Sequence, residues 1–141
     1  MKTQIPIQII NLENEDNLHP IIDAKINDTP IRLVIDTGAS HSCIDKKEVK
    51  KLLKNKTKVS EDIVMGIGNK KLTNTMVTIK ELTIGELAIK DYTIVAINLK
   101  HINKMMAMMN LAPINGLLGS DILCKYEALI DYKNRCLTLN Y

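Results

Sequence analysis

Ile31-Arg32-Leu33-Val34-Ile35-Asp36-Thr37-Gly38-Ala39-Ser40 is the stretch on which the reading of this sequence turns. An apolar run rich in β-branched residues reads as a buried strand, and it stops abruptly at a carboxylate, a hydroxyl and a glycine. A buried strand fixes the position of Asp36. Gly38 lets the backbone turn and bring its N–H towards that carboxylate, and the Thr37 hydroxyl is free to hold a neighbouring chain.

Upstream of this stretch, Ile21 to Ile35 reads as two strands joined by the turn formers Asn27-Asp28-Thr29-Pro30. Residues 3–10 alternate loosely around Ile5, Ile7 and Ile9, with Pro6 placing them at a sheet edge. The polar segment from Asn11 to Pro20 reads as a turn or short loop.

Downstream, Asp45 with Glu48 three residues on is the side-chain pattern of a capped helix start. Val49, Leu52 and Leu53 fall on one face of that helix, which should end near Asn55. Its lysines, Lys46, Lys47, Lys50, Lys51 and Lys54, read as a solvated face rather than an anion patch. Two hairpins are expected between Val59 and Ile97. The first has the glycine-rich tip Met65-Gly66-Ile67-Gly68-Asn69, with its second strand from about Leu72. The second turns at Gly85-Glu86, with Gly first as a type II′ turn requires.

From Asn98 to Leu111 the apolar period becomes helical, and the Met105, Met106 and Met109 cluster reads as flexible core filler. Ile114 to Asp121 reads as a buried strand between glycines, followed by a helical turn through Ile122, Leu123 and Cys124. Ala128 to Leu139 then makes a closing hairpin about Lys133-Asn134-Arg135. With no repeat or linker, one mainly β domain over 1–141 is expected, with two or three short helices.

The 141 residues are 45% apolar, enough for a real core, and with no Phe or Trp that core must be aliphatic. A net charge of +3 without aromatic stacking groups gives no case for nucleic acid as a partner. The three cysteines, Cys43, Cys124 and Cys136, suit neither a disulfide framework nor a zinc site, so no metal or cofactor is expected. No apolar h-region or membrane-length apolar window occurs, and a cytoplasmic address away from any membrane is the default.

Three elements, in order, resemble the retropepsin-like aspartic proteases: Val34-Ile35-Asp36-Thr37-Gly38-Ala39-Ser40, the tip Met65-Gly66-Ile67-Gly68-Asn69, and Gly116-Leu117-Leu118-Gly119 with its helical turn. The resemblance implies a closed acid-protease barrel with a flap hairpin, and an endopeptidase with Asp36, Thr37 and Gly38 in the catalytic loop. It places Ala39, Ser40, Met65, Gly66, Ile67 and Gly68 against a peptide or protein substrate, and Leu117, Leu118 and Gly119 behind the loop. Such enzymes activate a water between two carboxylates that share one proton. The chain has a single Asp-Thr-Gly, so the resemblance implies a homodimer with one Asp36 from each subunit. In such a dimer Thr37 would bond across to the partner's loop and Gly38 would donate its N–H to the carboxylate.

Departures from the family pattern carry their own expectations. Where retroviral enzymes have an Asp–Arg pair, this chain has Ser40 and Ser120, so a neutral hydrogen bond between them is expected in its place. Two-lobed pepsins carry a hydroxyl at the position of Ala39; without it the dyad should be less strongly acidic, placing activity at mildly acidic to near-neutral pH. The flap tip, ending in Gly68-Asn69-Lys70-Lys71, is more polar than in relatives. The competing reading of the same residues is a catalytically inactive dimerisation or peptide-binding module. A phosphate-binding turn is a weaker third reading, given the low glycine content around Asp36 and the lack of a following Lys-Ser/Thr.

Overall fold

The structure, a computed structural model, describes residues 1–12, 17–53, 58–65 and 71–141; for 12, 52–53, 58–65 and 71–75 it describes the backbone alone. Fourteen elements follow in chain order: β1 (Lys2–Pro6), β2 (Gln8–Leu12), β3 (Asn17–Ile26), β4 (Thr29–Ile35), β5 (Cys43–Asp45), α1 (Lys46–Leu53), β6 (Lys58–Met65), β7 (Lys71–Ile84), β8 (Leu87–Ile97), α2 (Lys100–Met108), β9 (Gly116–Leu118), α3 (Ser120–Lys125), β10 (Leu129–Asp131) and β11 (Cys136–Asn140). The chain is mainly β, with three short helices. No helix among the described residues is long and apolar enough to cross a membrane.

The strands β3-β4-β9-β5-β8-β7 lie side by side, and β7 returns to pair with β3 through Lys25↔Thr83 and Ile26↔Leu82. Six strands thus close a barrel. Strand β2 continues the sheet beyond β3 and β6 beyond β7, while β1, β11 and β10 make a separate three-stranded sheet in that order. The terminal strands pair with each other from Lys2↔Asn140 to Pro6↔Cys136, so Pro6 ends an edge strand as its missing N–H requires.

The continuous apolar run of β4 is explained by what covers its two faces. Ile31, Leu33 and Ile35 point into the main core with Ile22, Ala24 and Ile26 of β3. Val34, with Ile21, faces outward onto a second cluster that holds Leu99, Met106 and Ile114. Met106 is fully buried there, as a filler should be, whereas Met108 is 77% exposed. The connection between β3 and β4 is a tight two-residue turn, Asn27 and Asp28, both at positive φ. Gly85 also has positive φ, and Glu86 does not, which gives the expected type II′ geometry.

Three expectations are corrected and one is extended. Asn17 to Pro20 is strand rather than loop, since β3 extends to pair with β2 from Leu12↔Asn17 onward. The alternation of Ile5, Ile7 and Ile9 towards the main core holds, and Ile10 is buried as well, on the opposite face against the second cluster. Cys43–Asp45 forms a short strand wedged between β8 and β9 that local pattern does not reveal. The helix after it is α1, capped as expected by Asp45 Oδ1 accepting from Lys47 N–H at 3.3 Å. Glu48 does not reach back to complete the capping box; its carboxylate takes Asn115 Nδ2 at 3.0 Å, and the Asp45 N–H goes to the Asn115 carbonyl. The expected helix end near Asn55 lies outside the described residues.

Candidate active site

Strand β4 runs parallel to β9, with Ile35 opposite Leu118, and the pairing continues one step further: Asp36 N–H donates to the Leu118 carbonyl at 2.9 Å. The Asp36 main chain is therefore held by the sheet while its side chain, half-buried, emerges at the sheet's end. The backbone then turns, with Ala39 N–H donating to the Asp36 carbonyl at 3.1 Å. In this turn Gly38 N–H donates to Asp36 Oδ1 at 3.0 Å. A Cβ on Gly38 would lie 3.3 Å from that same oxygen, so glycine keeps the approach open. Thr37, Gly38 and Ser40 are exposed and Ala39 is half-buried.

Behind the loop, Gly119 is fitted against it so closely that a Cβ there would stand 2.7 Å from the His41 carbonyl carbon and 2.8 Å from the Ala39 oxygen. Leu118 is fully buried in the barrel core and Leu117 half-buried. The first turn of α3 adds two bonds to the loop: Ser120 N–H to the Ala39 carbonyl at 2.8 Å and Ser120 Oγ to the Thr37 carbonyl at 2.9 Å. The expected Ser40–Ser120 bond is not formed. A serine hydroxyl is too short to mimic a charged pair across the loop, and Ser120 takes the nearer backbone acceptor instead.

Sequence reasoning missed a set of residues that holds the far side of the loop. Ser42 is buried; its N–H and Oγ both donate to Asp121 Oδ1, at 2.9 and 2.7 Å, and its Oγ accepts from Gly119 N–H at 2.8 Å. Tyr92, on β8, donates its hydroxyl to Asp121 Oδ2. Burial works to raise the Asp121 carboxyl, but the bonds from Tyr92, Ser42 and Ile122 N–H outweigh it and leave the group below its ordinary range. Tyr92 is pushed well above its ordinary value by burial, reinforced by the Asp121 carboxylate. The Cys43 thiol is raised to about 11 by burial, with Asp121 and Asp36 adding to the effect. The one local sign of this arrangement is Asp121 in the first turn of a helix, and nothing in that sign names Ser42, 79 residues away.

Of the residues expected over the site, Met65 ends β6 opposite Lys71, which confirms a hairpin arm leading to the tip. The tip residues Gly66, Ile67, Gly68 and Asn69 lie outside the described residues. Among the described residues no group of three or more His, Cys, Asp or Glu side chains converges as a metal site would require.

A model of the aspartyl protease family matches residues 22–122, from β3 through the loop and β9 to the first turn of α3. The chain belongs to this family. Its fold is that of retropepsin-like aspartic proteases, and solved structures agree. One is a retropepsin-like aspartic protease from Rickettsia conorii, 24% identical, with a TM-score of 0.56 over 100% of this chain and 96% of that one. Another is the retroviral protease-like domain of Ddi1 from Leishmania major, 18% identical, TM-score 0.56, over 84% of this chain and 86% of that one. A third is the EIAV protease in complex with the inhibitor HBY-793, 18% identical, TM-score 0.56, over 86% and 99%. No curated protein matches the chain.

Proposed function

We propose that this chain is an aspartic endopeptidase, that residues 1–141 act as one domain, and that it works as a homodimer. The observation that carries the reading is the Asp36 carboxylate, half-buried at a strand end and held by Gly38 N–H at 3.0 Å. One such carboxylate cannot share a proton with itself, so two copies bring their Asp36 side chains together on a two-fold axis. The ionised Asp36 takes a proton from the water, whose oxygen attacks the scissile carbonyl carbon. The protonated Asp36 supports the carbonyl oxygen, and the proton passes to the leaving amine as the C–N bond breaks.

In this reading Thr37 bonds across the axis to the partner's loop, and Gly38 fixes the carboxylate. Ala39 and Ser40 line the groove, and Met65, Gly66, Ile67 and Gly68 close over an extended peptide held by strand-like main-chain bonds. Leu117, Leu118 and Gly119 brace the loop. No cofactor or nucleic acid takes part, and the free thiols of Cys43, Cys124 and Cys136 suit a reducing, cytoplasmic setting.

The test incubates a diverse peptide pool with the protein and with Asp36→Asn. Cleavage by the first and none by the second supports the reading. Cleavage that survives the substitution, or never appears at any pH, refutes it. Sedimentation at several concentrations should show a dimer.

A further inference from the structure

The lysines of α1 do not stand alone. Beneath the surface, buried Asp45 ties the two longer helices together: Oδ1 accepts Lys47 N–H at 3.3 Å and Leu99 N–H at 3.4 Å, and Oδ2 accepts Asn103 Nδ2 at 3.3 Å. This sets Lys47 of α1 beside Lys100 and Lys104 of α2, all exposed. Among the described residues the carboxylates on this side are the buried Asp45 and the half-buried Glu48, and Glu48 is engaged by Lys51 at 3.4 Å and Asn115 at 3.0 Å. Among the described residues Lys51–Glu48 is the only ion pair. The three lysines carry as much charge as the +3 of the whole chain, so the basic and acidic residues elsewhere balance.

Between the helices lies an open cavity of about 390 Å³. Lys47, Lys100 and Lys104 stand around it, Ala107, Leu111 and Pro113 give it an apolar wall, and among the described residues no carboxylate lines it. The cavity sits off the catalytic loop. Asp45 lies at the Gly116 end of β9 and Asp36 at the Leu118 end, so two or three strand residues, about 10 Å, separate their positions along the sheet.

We propose that this cavity is an exosite for an acidic segment of a protein substrate, one in which Asp or Glu alternates with aliphatic side chains. The inference rests on the endopeptidase reading for the word substrate, but the binding does not depend on catalysis. Uncompensated lysines around a hollow select anionic groups, and the apolar wall gives aliphatic side chains a place that a phosphate backbone would not use. Among the described residues no aromatic side chain lines the hollow to stack on a base, which favours a peptide over single-stranded nucleic acid.

The experiment measures fluorescence anisotropy of a labelled peptide of alternating Glu and Leu on the Asp36→Asn protein, which binds without cutting. A Gln-for-Glu peptide, a single-stranded RNA of equal length and phosphatidylserine vesicles serve as competing probes. The Glu peptide should bind about tenfold tighter than the Gln peptide at low salt, and the advantage should shrink as salt is raised. The triple variant Lys47→Glu, Lys100→Glu, Lys104→Glu should abolish that difference, the corresponding Gln variant should reduce it, and Lys25→Glu with Lys90→Glu should leave it unchanged. Equal binding of the two peptides, no effect of the triple variants, or tighter binding of RNA or vesicles overturns the proposal. With the active protein, an acidic extension on a cleavable peptide should lower KM about tenfold at unchanged kcat. Loss of all cleavage with the binding pattern intact sinks the endopeptidase reading and leaves the exosite standing.

Discussion

The Ser42 hydroxyl donates to the Asp121 carboxylate at 2.7 Å, and by this bond the chain leaving Asp36 is tied to the first turn of α3. The same hydroxyl accepts Gly119 N–H at 2.8 Å, so one small side chain links the loop, the end of β9 and the helix. Replacing Ser42 with Ala orphans the buried Gly119 N–H and removes one of three bonds to Asp121 Oδ1, which keeps those from Ser42 N–H and Ile122 N–H. The expected cost is about 1–3 kcal/mol of stability, read by urea denaturation, with a fall in kcat larger than any rise in KM. Asp121→Asn keeps the shape but turns one accepting oxygen into a donor, and should cost as much. Unchanged stability in both variants would show that water substitutes freely for these bonds.

Gly38 and Gly119 should respond differently to alanine. At Gly38 the added carbon meets the far end of a side chain, Asp36 Oδ1, at 3.3 Å, so Gly38→Ala should fold and melt near the parent while cleaving peptide more slowly. At Gly119 the carbon meets backbone at 2.7–2.8 Å, which cannot yield cheaply. Gly119→Ala should lose several kcal/mol, of the order of about 3, or fail to fold, as a melting curve will show.

Mixing subunits tests the shared active site. If each dimer needs Asp36 from both chains, adding an equal amount of Asp36→Asn to the protein, with exchange complete, leaves about half of the original activity, since mixed dimers are dead. Activity unchanged by the added variant would mean that each chain works without its neighbour.

Alkaline pH should unfold the protein by a defined route. Cys43 is raised from 9.0 to about 11, so its folded state keeps the proton where the unfolded chain releases it. Its contribution is complete below pH 9 and is lost as pH rises through about 11, amounting to up to about 3 kcal/mol. Tyr92 acts in the same direction from pH 10 upward. Asp121 has the opposite sign: its contribution holds above pH 3.8 and disappears as acid protonates it. Cys43→Ala should flatten the loss between pH 9 and 11 in denaturation curves; an unaltered slope would assign the loss to other groups.

The parts of the fold legible in sequence were those written in neighbouring residues. The run into Asp36, the Asn27-Asp28 turn, Gly85 at the second hairpin and the Asp45 cap each depend on chemistry within a few positions. What stayed hidden depends on distant partners. Cys43–Asp45 is a strand only because β8 and β9 flank it, and barrel closure rests on two residue pairs between β3 and β7. Asn17 to Pro20 looks polar and turn-like, but β2 supplies its ladder. In the candidate site, the carboxylate and its glycine were visible. Ser42, Tyr92 and Asp121 were not, because a serine, a tyrosine and an aspartate carry no common signal until the sheet brings them together.

The pairing of β4 with β9 also has a consequence in time. Asp36 emerges early in the chain, but the carbonyl that receives its N–H belongs to Leu118, and the braces at Gly119, Ser120 and Asp121 come later still. A growing or truncated chain that lacks this segment has the Asp-Thr-Gly sequence without its setting. Contacts of such long sequence separation form late in folding. On the proposed endopeptidase reading, the setting of the Asp36 carboxylate is therefore assembled only when most of the chain is already in place.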